Sequence, residues 1–254
     1  MINSTTIALT NDDGIDAPGI QALHQALIHR LDLFAGISVG IVAPDQHLSG
    51  CSHQINRGGP ISVEQRVTQQ SPIGGTATEV GRVTTHRYAI GGTPADCTRV
   101  AHHLYPQLDW VLSGINDGGN LGADIHVSGT VAAAREATLL RIPAMAISHY
   151  KSRNATIDWD VAARRVVRVL NVLMERPLNP GQFWNVNLPS VDSSGPEPAI
   201  VFCPVCTQPL PTPSSLISGQ FRYTGTYQDR HRDPGADVDV CFGGNISVSQ
   251  ISLW

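Results

Sequence analysis

The sequence predicts an α/β fold: a core with a mostly parallel sheet, helices on both faces, and a strand-rich C-terminal extension. Three observations predict it. Short apolar segments alternate with helical patterns through the first two thirds of the chain. Most connections between them are short, as in strand–helix–strand units with a covered parallel sheet. From about residue 190 Pro and Gly become dense and helical periodicity stops. The expected division is a core over 1–189 and a strand-rich extension over 190–254 that packs on the core or on another subunit.

The elements follow in order. TTIALT reads as a strand, and GIQALHQALIHR (19–30) as a helix with Ile20, Leu23, Leu27 and Ile28 on one face. ISVGIVAP is a second strand. A long polar loop, a hairpin and the strand HRYAI come next. A helix then starts with Thr93 as N-cap, Pro94 in the first position and Asp96 three residues after the cap. DWVLSGI is a strand, VAAAREATLL a helix and IPAMAIS a strand. WDVAARRVVRVLNVLMER is a long amphipathic helix, and QFWNVNLP is read as the last strand of the core. In the extension, RYTGTYQDRH and NISVSQISLW read as short strands.

Composition narrows the function. The chain has 254 residues, is 41% hydrophobic and carries a formal charge of −4. It can bury a core, so general disorder is excluded. No apolar run is long enough for a membrane span. MINSTTIALTNDDG has neither the basic start nor the apolar run of a signal peptide, so a cytoplasmic setting is expected. Mild acidity without a basic run argues against a nucleic-acid polymer as partner. The acids divide into 16 Asp and 5 Glu, and Lys151 is the only lysine. Asp is a poor helix former, so the surplus points to turns, caps and sites.

The five cysteines form an odd, sparse set that suits free thiols. Cys203 and Cys206 in CPVC lack the second pair a zinc ribbon needs, and the prolines that follow forbid the helix of a redox motif. They read as incidental structural thiols, and Cys97 as a buried one. His47, His53 and His126 read as solvent-facing or structural, and Arg135 and Glu136 as the solvated side of their helix.

Three polar clusters follow the carboxyl ends of three apolar strands, where open α/β sheets bind ligands. The first is TNDDGIDAPG, with Asp12 and Asp13. The second is APDQHLSGCS, with Ser49. The third is SGINDGGNLGADIHVSGT, with Asn116, Asn120, Ser128, Gly129 and Thr130. Adjacent carboxylates repel unless solvated, separated or bridged by a cation. Their neighbours offer hydroxyl and amide oxygens, which suits Mg²⁺ or Mn²⁺. An ordinary N-D-D-G turn is the plainer alternative. SGT precedes a helix, and a helix N-terminus binds phosphate through free N–H groups. A simple Ser cap is the alternative there. No P-loop and no dinucleotide fingerprint is present.

LTNDDGIDAPGI, GGTPADC, LSGINDGGNLG, SGTVAAAREA and NVNLP, in that order, resemble the SurE (survival protein E) nucleotidases. The resemblance implies a Rossmann-like core and one divalent metal ion per subunit. It implies hydrolysis of nucleoside 5′- and 3′-monophosphates, and self-association to a dimer or tetramer partly through C-terminal elements. The metal ligands it implies are Asp12, Asp13, Ser49 and Asn116, with Asp12 and Asp13 catalytic. It puts Asn120 and the turn Ser128–Gly129–Thr130 at the substrate phosphate. Leu48 stands where the family often has a basic residue, and Asp117 where a neutral or basic one is usual.

The expected chemistry is metal-assisted hydrolysis of a phosphate ester: the cation polarises a phosphoryl oxygen and lowers the pKa of a water. A carboxylate takes the water's proton, or an aspartate attacks directly. The turn at 128–130 stabilises the developing charge. A non-catalytic nucleotide-binding module and a thiol protein built on CPVC are the competing classes.

Overall fold

The computed structural model describes residues 5–28, 37–72, 82–153, 155–192 and 194–254. Its strands are β1 (Thr5–Thr10), β2 (Ile37–Pro44), β3 (Val63–Pro72), β4 (Arg82–Ile90), β5 (Trp110–Asp117), β6 (Ala144–His149), β7 (Gln182–Leu188), β8 (Ile200–Phe202), β9 (Ser214–Ile217), β10 (Gln220–Tyr223) and β11 (Ile246–Ser252). Its helices are α1 (Pro18–Ile28), α2 (Pro94–Leu104), α3 (Gly129–Leu139), α4 (Trp159–Leu173) and α5 (Asp237–Phe242). Residues 29–30 of the expected first helix and the tip of the expected hairpin lie outside the described residues.

Among the described residues nine strands form one sheet in the order β3-β4-β2-β1-β5-β6-β7-β11-β8. The run from β4 to β7 is parallel throughout. β3 pairs antiparallel with β4, and β11 antiparallel with β7. The mostly parallel, helix-covered sheet read from the sequence is therefore present. α1 and α4 pack together over one face, around Ile20, Leu23, Leu27, Val166 and Val169. α2 and α3 pack together over the other, around Val131, Ala134, Ala137 and Ala101. β1, central in the parallel run, ends in four consecutive buried residues, as a strand covered on both faces must.

Local signals explain the helix starts. Thr93 accepts from Asp96 N while the Asp96 carboxylate accepts from Thr93 N, a complete capping box with Pro94 next. Asp158 caps α4 through Val161 N at 3.0 Å. Ser128 caps α3 through Val131 N at 3.1 Å.

The C-terminal part is strand-rich as read and packs on the core, but it departs from the sequence reading in three details. The sheet does not end at β7, because β11 and β8 extend it beyond that strand. Among the described residues only the hairpin β9–β10 stands apart, as a two-stranded sheet. RYTGTYQDRH is a strand only at its start and then passes into a short 3-10 turn at Tyr227–Asp229. Tyr227 and Arg230 cause the departure, since both reach the Asp124 carboxylate, at 2.5 and 2.9 Å. A helix, α5, also occurs where no periodicity announced one. It has six residues, too few to display a 3.6-residue repeat.

Candidate active site

β2, β1 and β5 are neighbours in the sheet, so the loops after them share one edge. The chain leaves β1 to one side for β2 and later returns on the other side as β5, which makes a switch point at β1. This topology brings the three polar clusters to that edge.

The loop after β1 is built by Asn11. Its Nδ2 donates to Gly14 O at 2.9 Å, and its Oδ1 accepts from Gly14 N at 3.2 Å. Gly14 has φ +107°, a conformation that suits glycine. The tight turn aims Asp12 inward, 4% exposed, and Asp13 along the edge. Leu48 N donates to Asp12 O at 2.7 Å, tying the loop after β2 to this turn. Ser49 follows on the exposed side of that loop, and among the described residues no hydrogen bond links it to the aspartates.

Asp12 Oδ1 accepts the Thr130 hydroxyl at 2.5 Å. A Cβ built on Gly129 would lie 2.8 Å from Asp12 Oδ2 and 2.9 Å from Cys51 Sγ, so only glycine lets α3 approach this closely. Burial, with Asp13 adding like charge, raises the Asp12 pKa to about 6, although the Thr130 hydroxyl and N–H offset part of the rise. Burial also raises the Asp13 pKa. Asp13 accepts from Asp117 N at 3.2 Å and stands 3.3 Å from His47 Nδ1.

Asn116 is half-buried, and its Nδ2 donates to Gly118 O at 2.8 Å, which leaves the amide oxygen as its free polar atom. Asn120 is buried and is the hub of a network. Its N–H donates to Asn187 Oδ1 at 2.7 Å, and its Nδ2 to Ser148 Oγ at 2.7 Å. Its carbonyl accepts from Asn185 Nδ2 at 2.9 Å and Asn187 Nδ2 at 3.1 Å. Of the turn 128–130, Ser128 caps α3 and the Thr130 hydroxyl proton is committed to Asp12, which leaves the helix-terminal N–H of Gly129 unpaired by helix position.

Two side chains behave unlike their sequence reading. Glu136 is not on a solvated face. It is 2% exposed and accepts from Arg99 Nε at 2.6 Å, with His53 Nε2 at 2.8 Å. Burial would raise its pKa, but the His53 and Arg99 bonds outweigh it and hold the carboxyl below its ordinary value. Arg135 points back to Ile125 O at 2.6 Å instead of into solvent. The unusual Asp117 is matched by the single lysine, with Lys151 Nζ 2.6 Å from its carboxylate. Asn185 and Asn187 are the support residues whose role sequence reasoning missed. The signal was an i, i+2 pair of amides on one face of an apolar strand.

The donor set fits a hard divalent cation. Asp12 and Asp13 supply carboxylates with burial-raised pKa, Asn116 an amide oxygen and Ser49 a hydroxyl, all oxygen. Among the described residues no three His, Cys, Asp or Glu side chains gather as a metal cluster, so a site here needs the neutral oxygens. All five cysteines are free.

The family model described as survival protein SurE matches residues 7–208. A Nostoc protein, provisionally named a 5′-nucleotidase, is 46% identical over 248 residues, 98% of this chain and 100% of that one. A Xanthomonas axonopodis protein named 5′-nucleotidase SurE is 37% identical over 185 residues, 73% of this chain and 64% of that one. The crystal structure of SurE protein from Aquifex aeolicus matches with a TM-score of 0.72 at 28% identity, covering 98% of this chain and 94% of that one. The family match runs from β1 through β8 and takes in every loop of the candidate site, and the chain belongs to the SurE family.

Proposed function

We propose that the chain is a divalent-metal-dependent phosphomonoesterase that hydrolyses nucleoside 5′- and 3′-monophosphates to nucleoside and phosphate. The observation that carries the reading is Asp12: a buried carboxylate with a pKa raised to about 6, beside a second carboxylate and against the first turn of α3. Such a pair is poorly stable alone and well suited to a cation and a phosphate.

Asp12, Asp13, Ser49 and Asn116 would hold one Mg²⁺ or Mn²⁺ ion. When bound, that ion supplies a Lewis acid that polarises a phosphoryl oxygen and lowers the pKa of a water. The Gly129 N–H and the Ser128 hydroxyl receive the phosphate at the positive end of α3. Asn120 borders the substrate with the second proton of its amide. Thr130 acts through Asp12: its hydroxyl fixes Oδ1 and leaves Oδ2 facing the turn where the phosphate sits. From there Asp12 accepts the proton of the attacking water.

The core over 1–189 carries this chemistry, and the extension over 190–254 mediates self-association to a dimer or tetramer. The free hairpin supports the latter, with Leu216 71%, Ile217 70% and Tyr223 76% exposed. A cytoplasmic setting accords with the free thiols. Among the described residues no helix is long and apolar enough to cross a membrane.

The test is phosphate release from 5′-AMP and 3′-AMP with Mn²⁺ or Mg²⁺. Activity is expected with metal, none with EDTA, and none in Asp12→Asn. Turnover that survives EDTA and the substitution refutes the scheme.

A further inference from the structure

The same sheet edge carries a cavity of about 440 Å³ between the loops after β6 and β7 and the start of α4. Arg165 forms part of its wall, with a side chain only 2% exposed. Its Nε is buried with no hydrogen-bond partner among the described residues. The Glu197 carboxylate stands 3.9 Å from that nitrogen, is itself 55% exposed, and is held more closely by Arg168 at 3.0 Å. A guanidinium keeps its proton in proteins, even though burial lowers the Arg165 pKa from its ordinary value. A buried charge whose one ion pair is long, exposed and shared, and whose Nε–H makes no hydrogen bond, is costly. The neighbouring buried positions of α4 are Val161, Ala162, Val166 and Val169, so an apolar residue would suit the packing better.

The rest of the cavity completes a ligand site. Ser152 and Ser190 line it with hydroxyls 3.1 Å apart. Two acids, Asp158 and Asp192, lie exposed at its margin, and Asp158 Oδ1 is already engaged by Val161 N. Their charge repels a multiply charged ligand and tolerates a single one. The volume falls within the range of small-molecule sites.

We propose that this cavity is a second anion site, which takes a compact oxyanion of single charge on the Arg165 guanidinium, with the Ser152 hydroxyl, oriented by the bond it accepts from Ser190, as a further donor. The planar fork of arginine suits the two oxygens of a carboxylate or a singly ionised phosphate. The site is separate from the Asp12–Asp13 cluster but connected to it. His149 lines the cavity, and its carbonyl accepts from Gly118 N at 3.1 Å, two residues past Asn116. An anion seated there bears on the loop that carries Asn116 and Asn120.

The experiment reads binding and not turnover. The full-length chain in EDTA is titrated with inorganic phosphate at about pH 6 and, separately, with propionate. The readouts are the Arg165 Nε–H resonance, assigned by its loss in Arg165→Met, and the backbone N–H resonances of Ser152 and Ser190, which wild type and Arg165→Met both have. A saturable shift of these resonances is expected, with at least tenfold weaker binding in Arg165→Met. A response to phosphate alone identifies the phosphate source, and one to propionate alone a carboxylate. Ser128→Ala, in the candidate active site, is expected to leave the shift intact. No shift with either anion, wild-type binding in Arg165→Met, or loss of the shift in Ser128→Ala overturns the proposal. Should Arg165→Met fail to fold, Ser190→Ala and Glu197→Gln carry the test. The first is expected to weaken binding severalfold and the second to leave it equal or tighter. The reverse pattern makes Arg165 a structural partner of Glu197 and overturns the proposal.

Discussion

Replacing Asp12 by Asn should stabilise the metal-free protein while abolishing its activity. The carboxylate has a pKa of about 6 in the folded chain against an ordinary value of 3.8, with burial as the main cause. The difference of about 2.2, at 1.36 kcal/mol for each, makes the ionised folded state ~3 kcal/mol costlier than an unperturbed aspartate. The sign follows from linkage. An acid with a raised folded pKa contributes stability below 3.8, and that contribution is lost as pH rises through about 6. At about pH 7.5 the wild type therefore bears the full cost. An amide does not, and its oxygen still accepts from Thr130. Urea unfolding in EDTA should show the Asn variant more stable by up to ~3 kcal/mol at about pH 7.5, with roughly half that gap at about pH 5. Phosphate release from AMP should vanish in the same variant. A variant no more stable than wild type in EDTA, or a gap that ignores pH, would refute the reasoning. Either result would mean that burial does not strain this carboxylate.

Other perturbations give equally specific outcomes. Thr130→Val keeps the shape but removes the donor to Asp12; a hydrogen bond to a charged group is worth about 1.5–3 kcal/mol, so kcat/KM should fall ~10–100-fold and recover in Thr130→Ser. Asn187→Leu leaves the buried Asn120 N–H without its acceptor, costing about 1–3 kcal/mol in urea unfolding and lowering kcat with it. His24 is buried with its Nε2 2.8 Å from Thr85 Oγ1, and burial lowers its pKa to about 4. Its contribution is present above pH 6.5 and lost as pH falls toward 4, so wild type should lose about 2–3 kcal/mol more than His24→Gln between about pH 7 and pH 4.5. Equal acid sensitivity of the two proteins would show that His24 is not the group responsible. Tyr227→Phe removes a bond to Asp124 and should lower the thermal midpoint by a few degrees, since a hydrogen bond to a charged group is worth about 1.5–3 kcal/mol.

How far the site was legible depended on the kind of signal. Thr93, Pro94 and Asp96 announced α2 because a cap is a local hydrogen-bond pattern written within four residues. The clusters around Asp12, Ser49 and Asn116 were legible because each follows an apolar strand, and parallel strands bring their carboxyl ends to one edge. Glu136 was misread because an acid on an amphipathic helix looks solvated until its partners are known. His53 lies 83 residues away, and Arg99 37. The segment of β11 was read as a strand of the extension, and that of β8 as no strand, for a related reason. Short strands show their alternation but not which edge they join, and here they join the core sheet beyond β7.

The sequence by itself determined the alternation of strands and helices, the helix caps, the polar strand-end loops and the family. All of these rest on patterns within a few residues, and the family on the order of several such patterns along the chain. Only the tertiary structure decided that Thr130 serves Asp12, that Lys151 answers Asp117, that Asn185 and Asn187 hold the Asn120 loop, and that Arg165 lies buried in a cavity. Those relations join residues tens of positions apart. Desolvation, which sets the charge state of Asp12, depends on everything packed around a group and so exists only once the chain has folded.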